Sequence, residues 1–290
     1  MRVVLAYSDA EWTDLMKGKH KRIDHGFRRI RKFIYQHAPA NRVQSKQLVF
    51  IFGCQRSGTT MLSNLFRNDL SSRVYTEKGL SSDGSRRILP LHQLDQMFSR
   101  DSASLIVGKP IVESQRAIDL LEFFPKARAI WMFRNFADVA RSARKRFSED
   151  SAFRNLKTII DSSVPQTFAA ENVSDETREV VLRHFSDQMS TNDANALYWY
   201  VRNVLYFEQQ LHRSDRVKLC CYELFVADPE NSLAELYAFL GRRYPGSHLV
   251  KDVHSRSVQS MPLKDLSDQV AELCNDLASR LENTAGQLPT

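Results

Sequence analysis

The chain has 290 residues and a net charge of +7, with 42% hydrophobic and 26% charged residues. This composition is that of an average globular protein with a sizeable core, which excludes collagen, coiled coil and intrinsic disorder. No stretch approaches the roughly 20 apolar residues that span a bilayer, and the N-terminus becomes acidic too soon for a signal peptide. Four irregularly spaced cysteines do not make a disulfide framework or a zinc site, so we expect a reduced, cytoplasmic protein without a metal.

The positive charge is concentrated near the N-terminus. Residues 17–32 contain eight lysines and arginines and one acid, Asp24, whereas the rest of the chain is balanced, which argues against a nucleic-acid-binding domain. Apolar residues recur here at helical spacing, namely Ile23, Phe27, Ile30 and Ile34. We therefore predict a basic, helical N-terminal arm over residues 1–45. Two interpretations remain open: residues 17–34 contact an anionic membrane or an acidic polymer, or the helix packs on the domain through its apolar stripe.

After this arm, apolar runs alternate with amphipathic segments. The runs at residues 47–52, 73–75, 128–133 and 217–222 predict strands, and residues 59–66, 136–147, 194–212 and 228–241 predict helices. Apolar strands separated by helices imply a mainly parallel sheet that is covered on both faces. We predict a single α/β domain over residues 46–290, with a helical insertion over the sheet edge at about residues 148–193.

The most informative segment joins the first strand to the first helix and reads Gly-Cys-Gln-Arg-Ser-Gly-Thr-Thr over residues 53–60. Two glycines let the backbone amides wrap an anion, and the helix N-terminus and the Thr59 and Thr60 hydroxyls add donors. The glycine spacing is that of a nucleotide-hydrolase loop, but Thr59 stands where that loop has its lysine. ATP or GTP chemistry is therefore disfavoured. Arg56 is the cation of this loop, and a single cation suits a smaller group than a triphosphate.

Residues 53–60 resemble the 5′-phosphosulfate loop of sulfotransferases that use 3′-phosphoadenosine 5′-phosphosulfate (PAPS). A second segment, Phe124 to Ser142, is similar to the family motif FP-x-A-K-x-(strand)-R-[DN]-P-x-D-V-x-x-S, although Phe136 replaces its usual proline. Weaker similarities at residues 109–110, 221–229 and 254–258 extend the resemblance to about residues 47–275. The resemblance implies the P-loop-like sulfotransferase fold.

The same resemblance assigns the cofactor contacts. It implies that Arg56, Ser57, Gly58, Thr59 and Thr60 bind the 5′-phosphosulfate. It also implies that Arg134 and Ser142 hold the 3′-phosphate, and Arg146, one turn further along the same helix face, adds a second guanidinium. Tyr222 either approaches the cofactor or is a buried residue of the sheet.

The acceptor hydroxyl must lose a proton, and members of the family use a histidine or a glutamate as the base. Glu77 lies 21 residues after Arg56, at the end of a short predicted strand, which is the spacing found in tyrosylprotein sulfotransferases. We therefore predict that Glu77 is the base and that Arg56 stabilises the charge on the departing phosphate. His92, His184 and Glu113 are the alternatives for the base.

These similarities predict an enzyme that moves the sulfuryl group of PAPS to an acceptor hydroxyl by in-line displacement, without a metal, and releases 3′-phosphoadenosine 5′-phosphate (PAP). The Arg-Ser-Gly-Thr-Thr form of the loop argues against the members of the family that act on small phenols and steroids. Without a Golgi-type anchor, we expect a cytoplasmic enzyme, at the inner membrane face if the basic arm binds lipid, with a glycan or glycolipid acceptor. The alternatives are a kinase-like P-loop protein and a non-catalytic member of the fold.

Overall fold

The computed structural model describes residues 30–38 and 46–286, apart from residues 162, 165 and 260. Five strands pair in parallel in the order β2-β3-β1-β4-β5. They are β1 (Gln47–Gly53), β2 (Ser72–Thr76), β3 (Leu105–Lys109), β4 (Arg128–Phe133) and β5 (Val217–Cys221). This sheet and its flanking helices confirm the predicted α/β fold.

Helices cover both faces of the sheet. The first, α1, spans residues 30–37. The others are α2 (Thr59–Asn68), α3 (Glu77–Leu80), α4 (Leu91–Arg100), α5 (Ala117–Phe123), α6 (Phe136–Arg144), α7 (Ser151–Ile160), α8 (Asp175–His184), α9 (Thr191–Glu208), α10 (Tyr222–Ala227), α11 (Pro229–Phe239) and α12 (Asp268–Gly286). Short 3₁₀ turns occupy Ile111–Arg116, Leu211–Arg213 and Ser247–Leu249.

The alternating side chains of β1 fill two cores. Phe50 and Phe52 face the larger core, which α9 and α12 close, whereas Val49 and Ile51 face a second core built with α2 and α11. All four side chains are fully buried. Because both faces of the central strand are covered, the strand reads in the sequence as a continuous apolar run.

Several predicted boundaries differ from those of the structure. The helix predicted over 136–147 ends at Arg144, so Arg146 lies in the turn that follows, where its N–H donates to the Ala143 carbonyl over 2.9 Å. The predicted strand 217–222 ends at Cys221, and Tyr222 begins α10. The predicted placement of Arg146 on the helix and of Tyr222 in the sheet is therefore wrong. The polar segment 148–193 contains α7 and α8, which pack on each other and on α9.

Within the predicted N-terminal arm, residues 1–29 and 39–45 lie outside the described residues. Helix α1 contacts the domain through polar side chains, since Lys32 Nζ donates to the Ser72 carbonyl over 2.7 Å and Gln36 Nε2 to that of Leu70 over 2.9 Å. Its apolar residues point outward, with exposed fractions of 58% for Ile30, 62% for Phe33 and 63% for Ile34. Packing through the apolar stripe is therefore wrong for this helix, and the domain boundary at residue 45 stays a prediction. Within the described ranges, no helix is both long and apolar enough to cross a bilayer.

Gly53 has a φ of +131°, and a Cβ at this position would overlap the Met132 carbonyl of β4. We expect Gly53→Ala to lower the free energy of unfolding by about 2 kcal/mol or more, because it adds a steric overlap to the strain of a left-handed backbone. Gly241→Ala is the matched control, since Gly241 has a φ of +67° but open space around its Cβ position. Urea unfolding measures the free energy of unfolding of both variants. Equal losses of stability in the two would show that the overlap with β4 adds no cost of its own.

Candidate functional site

The loop between β1 and α2 turns sharply at three residues with positive φ: Gly53 (+131°), Arg56 (+72°) and Gly58 (+91°). A side chain at Gly58 would overlap the ring of Tyr222, so this glycine is needed for close packing as well as for its backbone angle. Ser57 is fully buried, and its Oγ has no hydrogen-bond partner among the residues that the structure describes. An unsatisfied buried hydroxyl at the start of a helix fits a loop that receives ligand oxygens.

Three arginines from different elements converge beside this loop. Arg56 Nε donates to Ser142 Oγ on α6 over 2.9 Å. Burial lowers the pKa of Arg56, and the nearby positive charges of Arg146 and Arg134 lower it further. Because like charges repel, this arrangement is stabilised when an anion binds between the arginines.

Arg134 follows the last residue of β4, and its side chain is only 7% exposed. Its Nη2 lies 3.2 Å from Asp138 Oδ2, and its guanidinium group lies 4.5 Å from the centre of the Tyr222 ring. A weaker ion pair joins its Nε to Glu223 Oε1 at 3.9 Å, but this Nε has no hydrogen-bond partner in the described part of the chain. Arg134 is therefore held in orientation and retains a donor for a ligand.

Residues 257 and 259, in the late segment that begins at His254, contact the surroundings of Arg134. The carbonyl of Ser257 accepts a hydrogen bond from Arg134 Nη2. The Oγ of the same residue lies 2.6 Å from the Tyr222 hydroxyl. The Gln259 N–H donates to Asp138 Oδ2 over 3.2 Å. The late segment thus contacts Arg134 and Tyr222, two of the residues predicted to bind the cofactor.

A cleft of about 430 Å³ opens at the carboxyl ends of β1, β2 and β3. Glu77 directly follows β2, and its Oε2 lies 3.7 Å from Lys109 Nζ at the end of β3. Lys109 also donates to Thr60 Oγ1 over 3.3 Å. Burial lowers the pKa of Lys109, and the charge of Glu77 opposes that shift. The carboxylate of Glu77, the buried amine of Lys109 and the β1–α2 loop therefore meet in one cleft. Other residues that line it are Arg56, Thr59 and Arg146.

Lys109 is the buried charged residue of this cleft that the sequence did not assign to the site. The pair Lys109-Pro110 counted only as a weak similarity in the sequence. The position of Lys109 directly after an apolar run could have indicated a site residue. The carboxyl ends of parallel strands lie at one edge of a sheet, where ligands bind.

The alternative bases lie elsewhere. His92 is on α4 and lines a surface depression with Leu89 and Met97. His184 ends α8, where its Nδ1 lies 2.8 Å from the Val180 carbonyl. Glu113 is fully buried and paired with Arg87 at 2.6 Å. Of the four candidates, Glu77 alone lines the cleft.

A second cleft, of about 610 Å³, lies on the other side of Tyr222. Its walls include Met61, Leu65, Leu249 and Val253, and His254 is at the same site. Polar side chains complete the lining, namely Asn64, Arg67, Asn68 and Asp252. The aromatic ring of Tyr222 and the apolar side chains suit a flat heterocycle such as a purine, and the polar side chains can bond to its ring nitrogens. Elsewhere in the described ranges, no group of histidine, cysteine and acidic residues is arranged to hold a metal ion.

The family model of the sulfotransferase domain matches residues 46–273. A solved sulfotransferase from Alicyclobacillus acidocaldarius is 17% identical, with 85% of this chain and 98% of that chain covered and a TM-score of 0.49. A mouse sulfotransferase complexed with PAP is 13% identical, with 83% and 86% covered and a TM-score of 0.41. No curated protein sequence matches the chain.

The family match begins at the first residue before β1 and ends within α12. It therefore includes the complete sheet, the loop with Arg56, and the strand ends that carry Glu77, Lys109 and Arg134. The chain belongs to the sulfotransferase domain family.

Proposed function

We propose that this sulfotransferase takes its sulfuryl group from PAPS and transfers it to an acceptor hydroxyl. The observation that carries the proposal is the convergence of Arg56, Arg134 and Arg146 beside a loop whose Ser57 hydroxyl is buried and unpaired in the described structure. A 3′-phosphate and a 5′-phosphosulfate together supply the anionic oxygens that such donors bind.

The residues present fit PAPS along the edge of the sheet. Arg56 and the loop residues Ser57–Thr60 would hold the 5′-phosphosulfate, and Arg134 with Ser142 and Arg146 would hold the 3′-phosphate. The 610 Å³ cleft with Tyr222 would take the adenine. When bound, PAPS supplies the sulfuryl group and a phosphate leaving group.

The chain's own residues supply the remaining chemistry. Glu77 accepts the proton of the acceptor hydroxyl. Arg56 and Lys109, which both line the 430 Å³ cleft, place positive charge where negative charge develops on the departing oxygen. A glycan or glycolipid acceptor and a cytoplasmic location stay predictions.

Peripheral contact with an anionic membrane is part of the proposal. The outward apolar residues of α1 continue from a segment with eight basic residues at positions 17–32, and this combination favours an interface with anionic lipid. Helix α1 contacts Ser72 at the amino end of β2, whereas Glu77 follows its carboxyl end. Contact through α1 would therefore leave the cleft accessible.

Arg134→Ala tests the cofactor. We expect it to weaken PAP binding by about 2–4 kcal/mol, because it removes a buried charged partner of the 3′-phosphate. Adenosine 5′-phosphosulfate, which lacks this phosphate, should lose far less affinity. Isothermal titration calorimetry measures both ligands, with the exposed Arg154→Ala as the control. Equal losses for the two ligands would show that Arg134 acts through the fold.

Glu77→Gln tests the base. The amide keeps the shape of the side chain but cannot take a proton, so sulfuryl transfer should slow by about 10²- to 10⁴-fold while PAP affinity is retained. The assay follows labelled sulfate from PAPS into glycan and lipid extracts, with the exposed Glu122→Gln on α5 as the control. A rate within a few-fold of wild type would rule out Glu77 as the base without contradicting sulfuryl transfer.

Phe33→Asp tests the membrane contact. We expect the full chain to sediment with vesicles that contain phosphatidylserine, to bind neutral phosphatidylcholine vesicles weakly, and to lose most of its binding on Phe33→Asp. Leu182→Asp is the control, because Leu182 is 54% exposed on α8, away from the basic segment. Equal binding by the two variants, or to the two kinds of vesicle, would contradict the proposal.

A further inference from the structure

A third cavity lies directly beside the 430 Å³ cleft. It measures about 370 Å³ and is formed by the β1–α2 loop, α6, α7 and α9. Gln55, Arg56, Arg86 and Phe147 line both spaces, so the two adjoin at these side chains. A volume near the lower end of the range of about 300–1,000 Å³ for small-molecule sites suits one compact molecule or the end of a chain.

The inner wall of this cavity is apolar. It consists of buried side chains from the β1–α2 loop, from the turn after β3 and from the helices, namely Cys54, Val112, Val139, Ala143 and Ala152. Neutral polar side chains complete the lining, namely Gln55, Ser85, Ser151, Asn155, Asn195 and Tyr198. Among the described residues that line the cavity, the charged ones are Arg56 and Arg86, and no carboxylate is present. A cationic molecule would therefore meet repulsion at the mouth and no partner inside.

Two polar groups at the wall lack partners. Tyr198 on α9 is 9% exposed, and its buried hydroxyl lies beside the side chain of Gln55. Neither this hydroxyl nor Gln55 Oε1 makes a hydrogen bond of good geometry within the described residues. Burial raises the pKa of Tyr198 to about 12, so the phenol stays neutral and can donate or accept. Because a buried polar group is stabilised by a partner, these atoms favour a ligand that carries a neutral polar group.

Ion pairs hold the cavity wall in place. Arg87 bonds to Glu113 and to Glu171, each at 2.6 Å. These bonds join the loop that carries Ser85 and Arg86 to the segment that carries Phe168, and all three of these residues line the cavity. These ion pairs thus cross-link the wall of the cavity.

We infer that this cavity is the acceptor site and that the acceptor is a compact, uncharged alcohol whose carbon skeleton lies among α6, α7 and α9. The inference rests on the proposed sulfuryl transfer. The hydroxyl lies at the Arg56 end, where the acceptor oxygen forms a bond to sulfur and its proton passes to Glu77. The bond from sulfur to the PAP oxygen breaks, and its electron pair leaves with PAP. A free sugar fits poorly, because several of its hydroxyls would lose water against the apolar inner wall, so this acceptor class differs from the glycan or glycolipid that the sequence predicts.

The acceptor class is tested with purified full chain, PAPS and a panel of probes: butanol, octanol, cyclohexanol, naphthol, glucose, maltose and octyl glucoside. We expect kcat/KM for at least one of the apolar alcohols to exceed that for glucose and maltose by about tenfold or more. Preference for the free sugars, or for octyl glucoside over every simple alcohol, would overturn the inference. PAP binding by wild type without transfer to any alcohol would overturn it too, whereas failure to bind PAP would contradict the proposed function itself.

Two variants locate the site. Ala152→Phe fills the cavity and should lower kcat/KM for the preferred alcohol by about tenfold or more, with PAP affinity within about twofold of wild type. Tyr198→Phe removes the unpaired hydroxyl and should raise KM severalfold, whereas Tyr200→Phe, on the same helix but outside the cavity, should not. Retained PAP binding shows that each variant is folded. An unchanged kcat/KM in Ala152→Phe, or equal effects of the two tyrosine variants, would place the acceptor elsewhere.

Discussion

The close approach of β1 to β4 at Gly53 brings together the two segments that we propose bind the anionic groups of PAPS. Gly53 lies opposite Met132 in the register of the two strands, and no Cβ fits between them. The loop with Arg56 therefore leaves the sheet next to the strand end that carries Arg134. In addition, β3 and β4 lie on opposite sides of β1, so the strand order reverses at β1. Open α/β sheets bind ligands at the carboxyl ends of the strands where the order reverses.

Acidic side chains organise the positive charge at this edge. Burial alone would raise the pKa of Asp138, but hydrogen bonds from Arg141 and the Gln259 N–H, with the charge of Arg134, lower it overall. Asp138 thus stays ionised, orients Arg134 and holds the segment that contains Ser257. Arg56, by contrast, bonds to the neutral Ser142 and lies near two other guanidinium groups. The uncompensated charge is therefore on the loop, where the proposed reaction needs it.

The two ends of the sheet have separate roles in this account. The carboxyl end holds the 430 Å³ cleft and the adjoining 370 Å³ cavity, and the amino end of β2 holds α1 with its outward apolar side chains. Neither the membrane contact nor the acceptor site depends on the other. An acceptor from solution and one from lipid could both reach Arg56.

The sequence by itself determined the alternation of strands and helices, the strand–loop–helix at residues 53–60 and the resemblance of two segments to sulfotransferases. These features depend on local backbone preferences and on hydrophobic patterns within about ten residues, which a single sequence displays. Only the tertiary structure placed Lys109 against Thr60 and Glu77, Tyr222 over Gly58, and Tyr198 beside Gln55. These pairs come from segments far apart in the chain. Strand order and helix packing bring them together, and both depend on how the whole core excludes water, not on any local pattern.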